Sequence, residues 1–261
     1  MRLDVGIAIA IFFLAVAGVL TARQQTDSRV VGEAGQSAFV FASQLQQKAM
    51  PGVAASTPMN VEAVAHPIKA LQLAQADDLT AVIATRRDEI YSDPEAPVGG
   101  NPKGDVTIVE FFDYNCPYCR KVASVLDELM QTDANIRIVY KEFPILGPNS
   151  TFAARAALAT RNQGKYLEFH KAVMLGRRVA DKVTVMEFAR MAGLDIDRLK
   201  ADMENPAVDA ILRRNLSLAE ALQISGTPAF IIADDLYAGA AELEDFRRVI
   251  AEVRESADPA Q

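Results

Sequence analysis

Residues 106–119, VTIVEFFDYNCPYC, lead from an apolar run into Cys116 and Cys119, which are the only two cysteines of the chain. The run predicts a strand, and the apolar residues after the cysteines share one face of a predicted helix: Val122, Val125, Leu126 and Leu129. Cys116 is therefore expected at a helix N-terminus. There, unpaired backbone N–H groups and the helix dipole favour a thiolate over a thiol, which makes Cys116 a candidate nucleophile.

Three other interpretations of the cysteine pair are weaker. A structural disulfide across so short a loop would remove only about 2 kcal/mol of chain entropy. A zinc half-site would need two more ligands, and the chain has only two histidines, His66 and His170, each remote in sequence. Inert buried thiols do not suit Pro117 at the first helical turn, because that setting displays Cys116. We expect a redox-active pair that needs neither a cofactor nor a metal ion.

The composition limits the class of protein. The chain has 261 residues, 50% of them hydrophobic, and a formal net charge of −7. This length can hold one ordinary domain plus a substantial extension, and the apolar content is enough for a buried core. Because no basic surface for nucleic acid is indicated, DNA and RNA are excluded as partners.

The N-terminus carries a targeting signal. Residues 5–20 form a continuous apolar and glycine run between Arg2 and Arg23. As a secretory signal, residues 5–14 would be the apolar core and Ala15-Val16-Ala17 the cleavage site. As an uncleaved anchor, residues 5–22 are at the short end of what spans a bilayer. Residues 1–22 therefore predict a signal peptide or a membrane anchor, and both place the rest of the chain outside the cytoplasm.

Residues 23–95 differ in character from the rest, because they are rich in Ala and Gln and contain no convincing strand. Helical spacing predicts two pieces, at about residues 35–50 and 67–91. Helices this apolar need a partner surface. This helical N-terminal extension is expected to pack on its own domain or to self-associate, with disorder as a third alternative, and we predict a homo-oligomer whose contacts lie in it.

A Pro- and Gly-rich stretch at residues 93–104 predicts a linker on which the next domain, residues 96–257, is free to move. After the first strand and helix, a second strand is expected at residues 136–143. Only helices are expected at about residues 149–222, followed by a strand hairpin and a closing helix. This order is typical of an α/β fold with a mixed sheet and a helical insert.

Four segments carry a resemblance to a known family: Glu110-Phe111-Phe112, Cys116-Pro117-Tyr118-Cys119, Lys141-Glu142-Phe143-Pro144 and Gly226-Thr227-Pro228-Ala229-Phe230. In this order they resemble the DsbA-like thiol-disulfide oxidoreductases, and within that group the suppressor of copper sensitivity protein C and its relatives. The resemblance implies a thioredoxin fold with a helical insertion. A C-x-x-C pair without the later segments would be a weaker signal.

The resemblance also implies roles for single residues. Cys116 would attack the substrate, and Cys119 would resolve the mixed disulfide. Pro228 would be the family's cis-proline, whose loop faces the cysteines and binds an extended substrate. Thr227, just before it, would touch the sulfurs and help to set their redox potential.

Glu110 stands alone in a run suited to a buried strand, so it should have either a raised pKa or a partner. Such a carboxyl can pass protons to and from the Cys119 thiol. Lys141, on the neighbouring strand in the resemblance, is the expected partner, and an exposed edge-strand pair is the alternative. His170 is expected to be an ordinary helix residue.

Tyr118 departs from the pattern of strong oxidases of the DsbA kind, which carry a histidine at this position. A tyrosine supplies no positive charge, so the Cys116 thiolate should be less stabilised and the disulfide less oxidising than in those oxidases. Pro117 and Tyr118 also form the dipeptide seen in glutaredoxins. The length of the chain, its export signal and its helical insert argue against a glutaredoxin.

Together these features predict a periplasmic thiol-disulfide oxidoreductase that acts on exported, cysteine-containing proteins and exchanges electrons with a membrane redox partner. Assembly of several copies through the extension would favour isomerase or reductase work. An extension that packs on its own domain would favour oxidase work. The alternative from another functional class is a copper-binding or chaperone module of the cell envelope that uses the same thiols as Cu(I) ligands.

Overall fold

The structure is a computed structural model that describes residues 79–257. The predicted signal or anchor at residues 1–22, and the extension up to residue 78, lie outside the described residues. Within residues 79–257, no helix is both long and apolar enough to cross a membrane.

Five strands form one mixed sheet: β1 Val98–Gly100, β2 Val106–Phe112, β3 Ile136–Glu142, β4 Ala229–Ile232 and β5 Asp235–Ala238. Their order across the sheet is β1-β3-β2-β4-β5. β2 and β3 are parallel, and the other neighbouring pairs are antiparallel. A parallel pair needs a crossover connection, and the helix after the cysteines supplies it.

The helices of the described part begin with a helical stretch at residues 79–85. The others are α1 Arg87–Tyr91, α2 Pro117–Thr132, α3 Pro148–Thr160, α4 Tyr166–Leu175, α5 Lys182–Met191, α6 Ile196–Met203, α7 Pro206–Ala221 and α8 Leu243–Ala257, with a short 3-10 helix at Arg161–Gln163. Local sequence sets several of their starts: Pro117, Pro148 and Pro206 stand in first turns, and Asp181, Asp195 and Asn205 accept hydrogen bonds from backbone N–H groups as N-caps. Helices α3 to α7 form the predicted insert.

β2 separates two hydrophobic layers. Ile108 and Phe112 pack with α2, the insert and α8, whereas Val109 and Phe111 pack with the end of α7 and with residues of the N-terminal helices. Successive side chains of a strand point to opposite faces, so a strand that is buried on both faces is a continuous apolar run. Glu110 therefore points into the layer of α2 and α4. This arrangement confirms the predicted α/β fold with a mixed sheet and a helical insertion.

The predicted mobile linker at residues 93–104 is wrong. Val98–Gly100 forms β1, which pairs with the edge of β3. The two glycines permit this close pairing: a Cβ on Gly99 would lie 3.0 Å from the Tyr140 side chain, and Gly100 has a φ of +68°. The sequence did not predict this strand, because glycine is uncommon in strands.

Residues 79–91 pack on the domain that contains the five-stranded sheet. Ile83 and Ile90 are buried against the sheet and α7, and the Tyr91 hydroxyl donates a hydrogen bond to Asp234 at 2.9 Å. For residues 79–91, the structure therefore agrees with the alternative that the extension packs on its own domain. Its removal would expose one face of the sheet to water.

Candidate active site

Cys116 is the N-cap residue of α2, and Pro117 follows it in the first turn. The Cys116 sulfur accepts a hydrogen bond from the Cys119 backbone N–H at 3.4 Å, and its thiol donates one to the Thr227 carbonyl oxygen at 3.2 Å. Both cysteines are free thiols. A backbone N–H directed at the sulfur stabilises a thiolate once the proton has left, so this geometry suits Cys116 as the nucleophile.

The loop between α7 and β4 brings Thr227 to the cysteines. The Thr227–Pro228 peptide bond is cis, as the resemblance implies. β4 pairs with β2 so that Ala229 lies opposite Phe111, near the end of β2 from which the cysteine loop leaves. The sheet thereby brings together two groups that are 111 positions apart in the chain, the Cys116 thiol and the Thr227 carbonyl.

Cys119 is fully buried behind Cys116. Burial raises the pKa of the Cys119 thiol far above its ordinary value, and the negative charge of Glu110 adds to that rise. Hydrogen bonds from the Asp113 backbone and Thr227 oppose it in part. Cys119 is therefore a protonated thiol at neutral pH and needs a base before it can attack.

Glu110 is 1% exposed, and its Oε1 atom has no hydrogen-bond partner among the described residues. Burial raises the pKa of its carboxyl to about 8. Near neutral pH this group is mostly protonated but still has an accessible anionic form, as a proton acceptor for Cys119 requires.

The predicted pairing of Glu110 with Lys141 is wrong. In the register of β2 and β3, Glu110 lies opposite Tyr140, and Lys141 lies opposite Phe111. Neighbouring positions of a strand face opposite sides of a sheet, so the carboxyl and the ammonium group are on different faces.

Lys141 instead forms an ion pair with Asp93, at 3.0 Å between Nζ and Oδ2. Burial lowers the pKa of Lys141, and the Asp93 carboxylate opposes that shift. The same segment carries Glu95, which pairs with Arg214 of α7. This cluster ties the predicted linker to the domain, and it places Lys141 away from the thiols.

Tyr118 is 65% exposed between the two cysteines. We expect Tyr118→His to increase the thiolate fraction of Cys116 at a given pH and to shift the redox equilibrium about tenfold, or about 30 mV, towards a more oxidising disulfide. The cause is the positive charge that an imidazolium adds beside the sulfur. Ultraviolet absorbance of the thiolate and equilibration with glutathione measure both effects. Tyr118→Phe is the control, and equal behaviour of the two variants would refute the argument.

Asp113 and Asn115 hold two surface loops against the start of α2, although the sequence predicted no such role for them and offered Asp113-Tyr114-Asn115 only as part of the resemblance to the suppressor of copper sensitivity protein C group. Asp113 accepts the backbone N–H of Leu146 at 2.9 Å. Asn115 accepts the backbone N–H of Ala180 at 2.8 Å, and its amide donates to Ser150 at 3.2 Å. These bonds attach the insert to the residues next to Cys116. The sequence signal that could have indicated this role is the presence of polar residues just before the C-x-x-C pair.

A buried polar network lies beneath the cysteine loop. Glu142 Oε1 accepts hydrogen bonds from the Tyr114 hydroxyl at 3.2 Å and the Tyr166 hydroxyl at 2.7 Å, and Tyr114 also lies 3.0 Å from Nδ1 of His170. Burial raises the pKa of Glu142 well above its ordinary value and lowers that of His170 to about 3. His170 is thus a neutral member of a structural network. Glu142, a charged residue in an apolar strand, was the sequence signal for it.

Within the described residues, no group of three or more His, Cys, Asp or Glu side chains is arranged to hold a metal ion.

Comparisons with known proteins identify the family. Residues 107–251 match the DSBA-like thioredoxin domain. Among solved structures, a thioredoxin-like oxidoreductase from Silicibacter pomeroyi DSS-3 is 48% identical with a TM-score of 0.64, over 66% of this chain and 99% of that chain. The catalytic domain of Proteus mirabilis ScsC has the same fold, with 24% identity and a TM-score of 0.61 over 66% of this chain and 97% of that chain.

Two sequence relatives are matched over very different shares of their own length. The Na(+)/H(+) antiporter NhaA 1 of Salinispora arenicola is 27% identical over 169 residues, which are 64% of this chain and 25% of the antiporter. This chain thus spans about a quarter of the length of that relative. The thiol:disulfide interchange protein DsbA of Bordetella parapertussis is 26% identical over 59% of this chain and 81% of its own length.

The predicted resemblance to DsbA-like oxidoreductases, with suppressor of copper sensitivity protein C among the structural neighbours, is confirmed by these matches. The family match extends over more than half of the chain and contains both cysteines and the loop of Thr227 and Pro228. The chain therefore belongs to the DSBA-like thioredoxin domain family.

Proposed function

We propose that this protein works in the periplasm, where it reduces and reshuffles the disulfides of exported, cysteine-containing proteins. One arrangement carries the proposal: the Cys116 sulfur lies between the Cys119 N–H and the Thr227 carbonyl, and the buried acid Glu110 influences the thiol behind it. The predicted signal or anchor at residues 1–22 supports export.

The proposed cycle begins with the Cys116 thiolate. It attacks one sulfur of a substrate disulfide, so that a bond forms between Cys116 and this sulfur while the substrate S–S bond breaks and the other substrate sulfur leaves as a thiolate. For reduction, Cys119 gives its proton to the Glu110 carboxylate and attacks the Cys116 sulfur. The bound substrate sulfur leaves as a thiolate, and a Cys116–Cys119 disulfide remains. For reshuffling, a second substrate thiolate displaces Cys116, and the pair stays reduced.

We infer the direction of the reaction from Tyr118. Because the residues between the cysteines carry no positive charge, the Cys116 thiolate is less stabilised than in strong oxidases, and the reduced pair is correspondingly less favoured. A pair that has become oxidised must be reduced again outside the cytoplasm. We propose a membrane redox partner that supplies the two electrons. Thr227 is proposed to tune the sulfurs through its direct contact.

A homo-oligomer is proposed as the working form. Residues 79–91 of the extension already cover one face of the sheet. The contacts between copies are therefore assigned to the apolar helical pattern upstream of residue 79. Several active sites around one substrate raise the local concentration of reactive thiols, which favours reshuffling.

The test is a deletion of residues 24–78 that keeps residues 79–91, because Ile83 and Ile90 are part of the core. We expect a monomer that still reduces small disulfides at the rate of the full chain, since all candidate site residues remain. Its ability to reactivate a scrambled multi-disulfide protein should fall about tenfold or more, because it presents a single site to each substrate. Light scattering and a reactivation assay measure these properties.

The control is the melting temperature of the deletion variant, which should equal that of the catalytic domain in the full chain. A full exported chain that is monomeric in light scattering would contradict the oligomer. A full chain that oxidises dithiols faster than it reshuffles scrambled protein would replace the proposed activity with that of a simple oxidase.

A further inference from the structure

A cavity of about 220 Å³ lies between α2 and α4, on the face of the sheet that carries Glu110. Its walls are largely apolar and include Leu126 and Met130 of α2 and Met174 of α4. Gly99 and Gly100 of β1 also line it, so the absence of side chains on that strand leaves the space open. The cavity is separate from the surface at which Cys116 meets Thr227.

Glu110 supplies the one buried acid of the cavity lining. Its Oε1 atom has no hydrogen-bond partner among the described residues, and an unsatisfied buried polar atom costs about 1–3 kcal/mol. A protonated carboxyl offers one O–H donor and one carbonyl acceptor side by side. A ligand that pairs with the O–H and the carbonyl oxygen at once must carry an acceptor next to a donor, as a carboxamide does.

The ionisable groups of the lining other than Glu110 and the buried tyrosine Tyr140 are already engaged. His170 is neutral, because burial lowers its pKa to about 3, and its Nδ1 atom contacts Tyr114. Asp127 and Lys171 line the cavity and form an ion pair with each other. A charged ligand head would therefore be buried next to Glu110 without a free counter-ion, which is costly.

The rim of the cavity is apolar. Leu167 and Leu175 both line it, both are about 40% exposed, and they are two helical turns apart on α4. A cavity of about 150 Å³ lined by apolar side chains holds a benzene molecule, so the present cavity has room for one ring and a small head group.

We propose that this cavity binds a small uncharged amide with a ring-sized apolar body. The ring occupies the space between α2 and α4, and the amide forms a pair of hydrogen bonds with the Glu110 carboxyl. A second part of the proposal rests on the proposed function. The bound ligand keeps the proton on Glu110 and thereby slows the step in which Cys119 loses its own proton.

Methionine-methyl NMR of the full chain tests the binding directly, with benzamide as the probe. Met130 and Met174 line the cavity, whereas Met191 is 77% exposed elsewhere and serves as the internal control. We expect saturable shifts of Met130 and Met174 below about 10 mM benzamide and none of Met191. Benzoate should bind at least about tenfold more weakly because its charge would be buried, and acetamide should not bind because it lacks the ring.

Two leucines make a matched pair of variants, since Leu167 at the rim is 42% exposed and Leu216 on α7 is 45% exposed. Leu167→Trp should weaken benzamide binding about tenfold or more by filling the mouth, whereas Leu216→Trp should leave it unchanged. Ala123→Leu, which fills the cavity from α2, is a second blocking variant.

Failure of Met130 and Met174 to shift, equal shifts of Met191, or full binding in both blocking variants would each overturn the proposed site. These outcomes do not depend on the catalytic proposal, because binding is observed without substrate. If benzamide binds as expected but does not change the rate of disulfide reduction, the site stands and the link to Glu110 chemistry is wrong.

Discussion

Cys116→Ala should abolish disulfide reduction and reshuffling, whereas Cys119→Ala should accumulate covalent mixed disulfides with substrate proteins. The difference follows from the two environments. The Cys116 thiol donates a hydrogen bond to the Thr227 carbonyl and its sulfur accepts one from a backbone N–H, so we expect Cys116 to make the first bond to substrate. Cys119 is buried with a raised thiol pKa, so we expect it to act only on the Cys116 sulfur.

Non-reducing gel electrophoresis after incubation with a disulfide-containing substrate measures the trapped species, and insulin reduction measures turnover. The double variant Cys116→Ala with Cys119→Ala is the control and should trap nothing. Trapping by Cys116→Ala to the same extent as by Cys119→Ala would contradict the assigned order of attack.

We expect Glu110→Gln to slow the resolving step about 100-fold while the fold persists, because the variant keeps the shape of the side chain but cannot accept the Cys119 proton. In the wild type, the rate of this step should rise with pH up to about pH 8, the pKa to which burial raises the carboxyl. In the variant this rise should disappear. Stopped-flow measurement of mixed-disulfide resolution between about pH 6 and about pH 9 checks both effects.

The same substitution should also change how the free energy of unfolding depends on pH. The ordinary pKa of a glutamate is 4.5, and the folded protein holds Glu110 at about 8, so the native state binds the proton more tightly than the unfolded chain. The stability contributed by the neutral carboxyl is fully present below about pH 4.5 and is lost progressively up to about pH 8. Wild type should therefore lose stability relative to Glu110→Gln across this window, by an amount on the order of 5 kcal/mol.

Glu142→Gln is the matched control for both measurements. Glu142 is equally buried in the neighbouring strand, but its carboxyl is bound by the hydroxyls of Tyr114 and Tyr166. It should change stability without removing the pH dependence of resolution. A normal rate profile in Glu110→Gln would show that Glu110 is only structural.

The pattern of the chain was sufficient to predict β2, α2, β3, the helical insert and the closing hairpin and helix. Each of these depends on interactions within a few residues: the alternation of a strand, the 3.6-residue period of a helix, or a proline in a first turn. The same local logic predicted that Cys116 lies at a helix N-terminus, and the structure has it as the N-cap residue of α2. It also predicted that Glu110 is buried, because one carboxylate interrupts a run that is otherwise apolar.

The tertiary structure alone decided which groups meet. Glu110 and Lys141 belong to adjacent strands, but the register places Lys141 on the other face, where Asp93 neutralises it. A change of register by one residue reverses the face of every side chain, and no local pattern specifies it. The pairing of two glycines into β1, the clamps of Asp113 and Asn115 and the cavity beside Glu110 likewise arise from contacts between segments far apart in sequence. Periodicity reports which side of its own element a residue occupies, whereas its partners depend on how the elements pack.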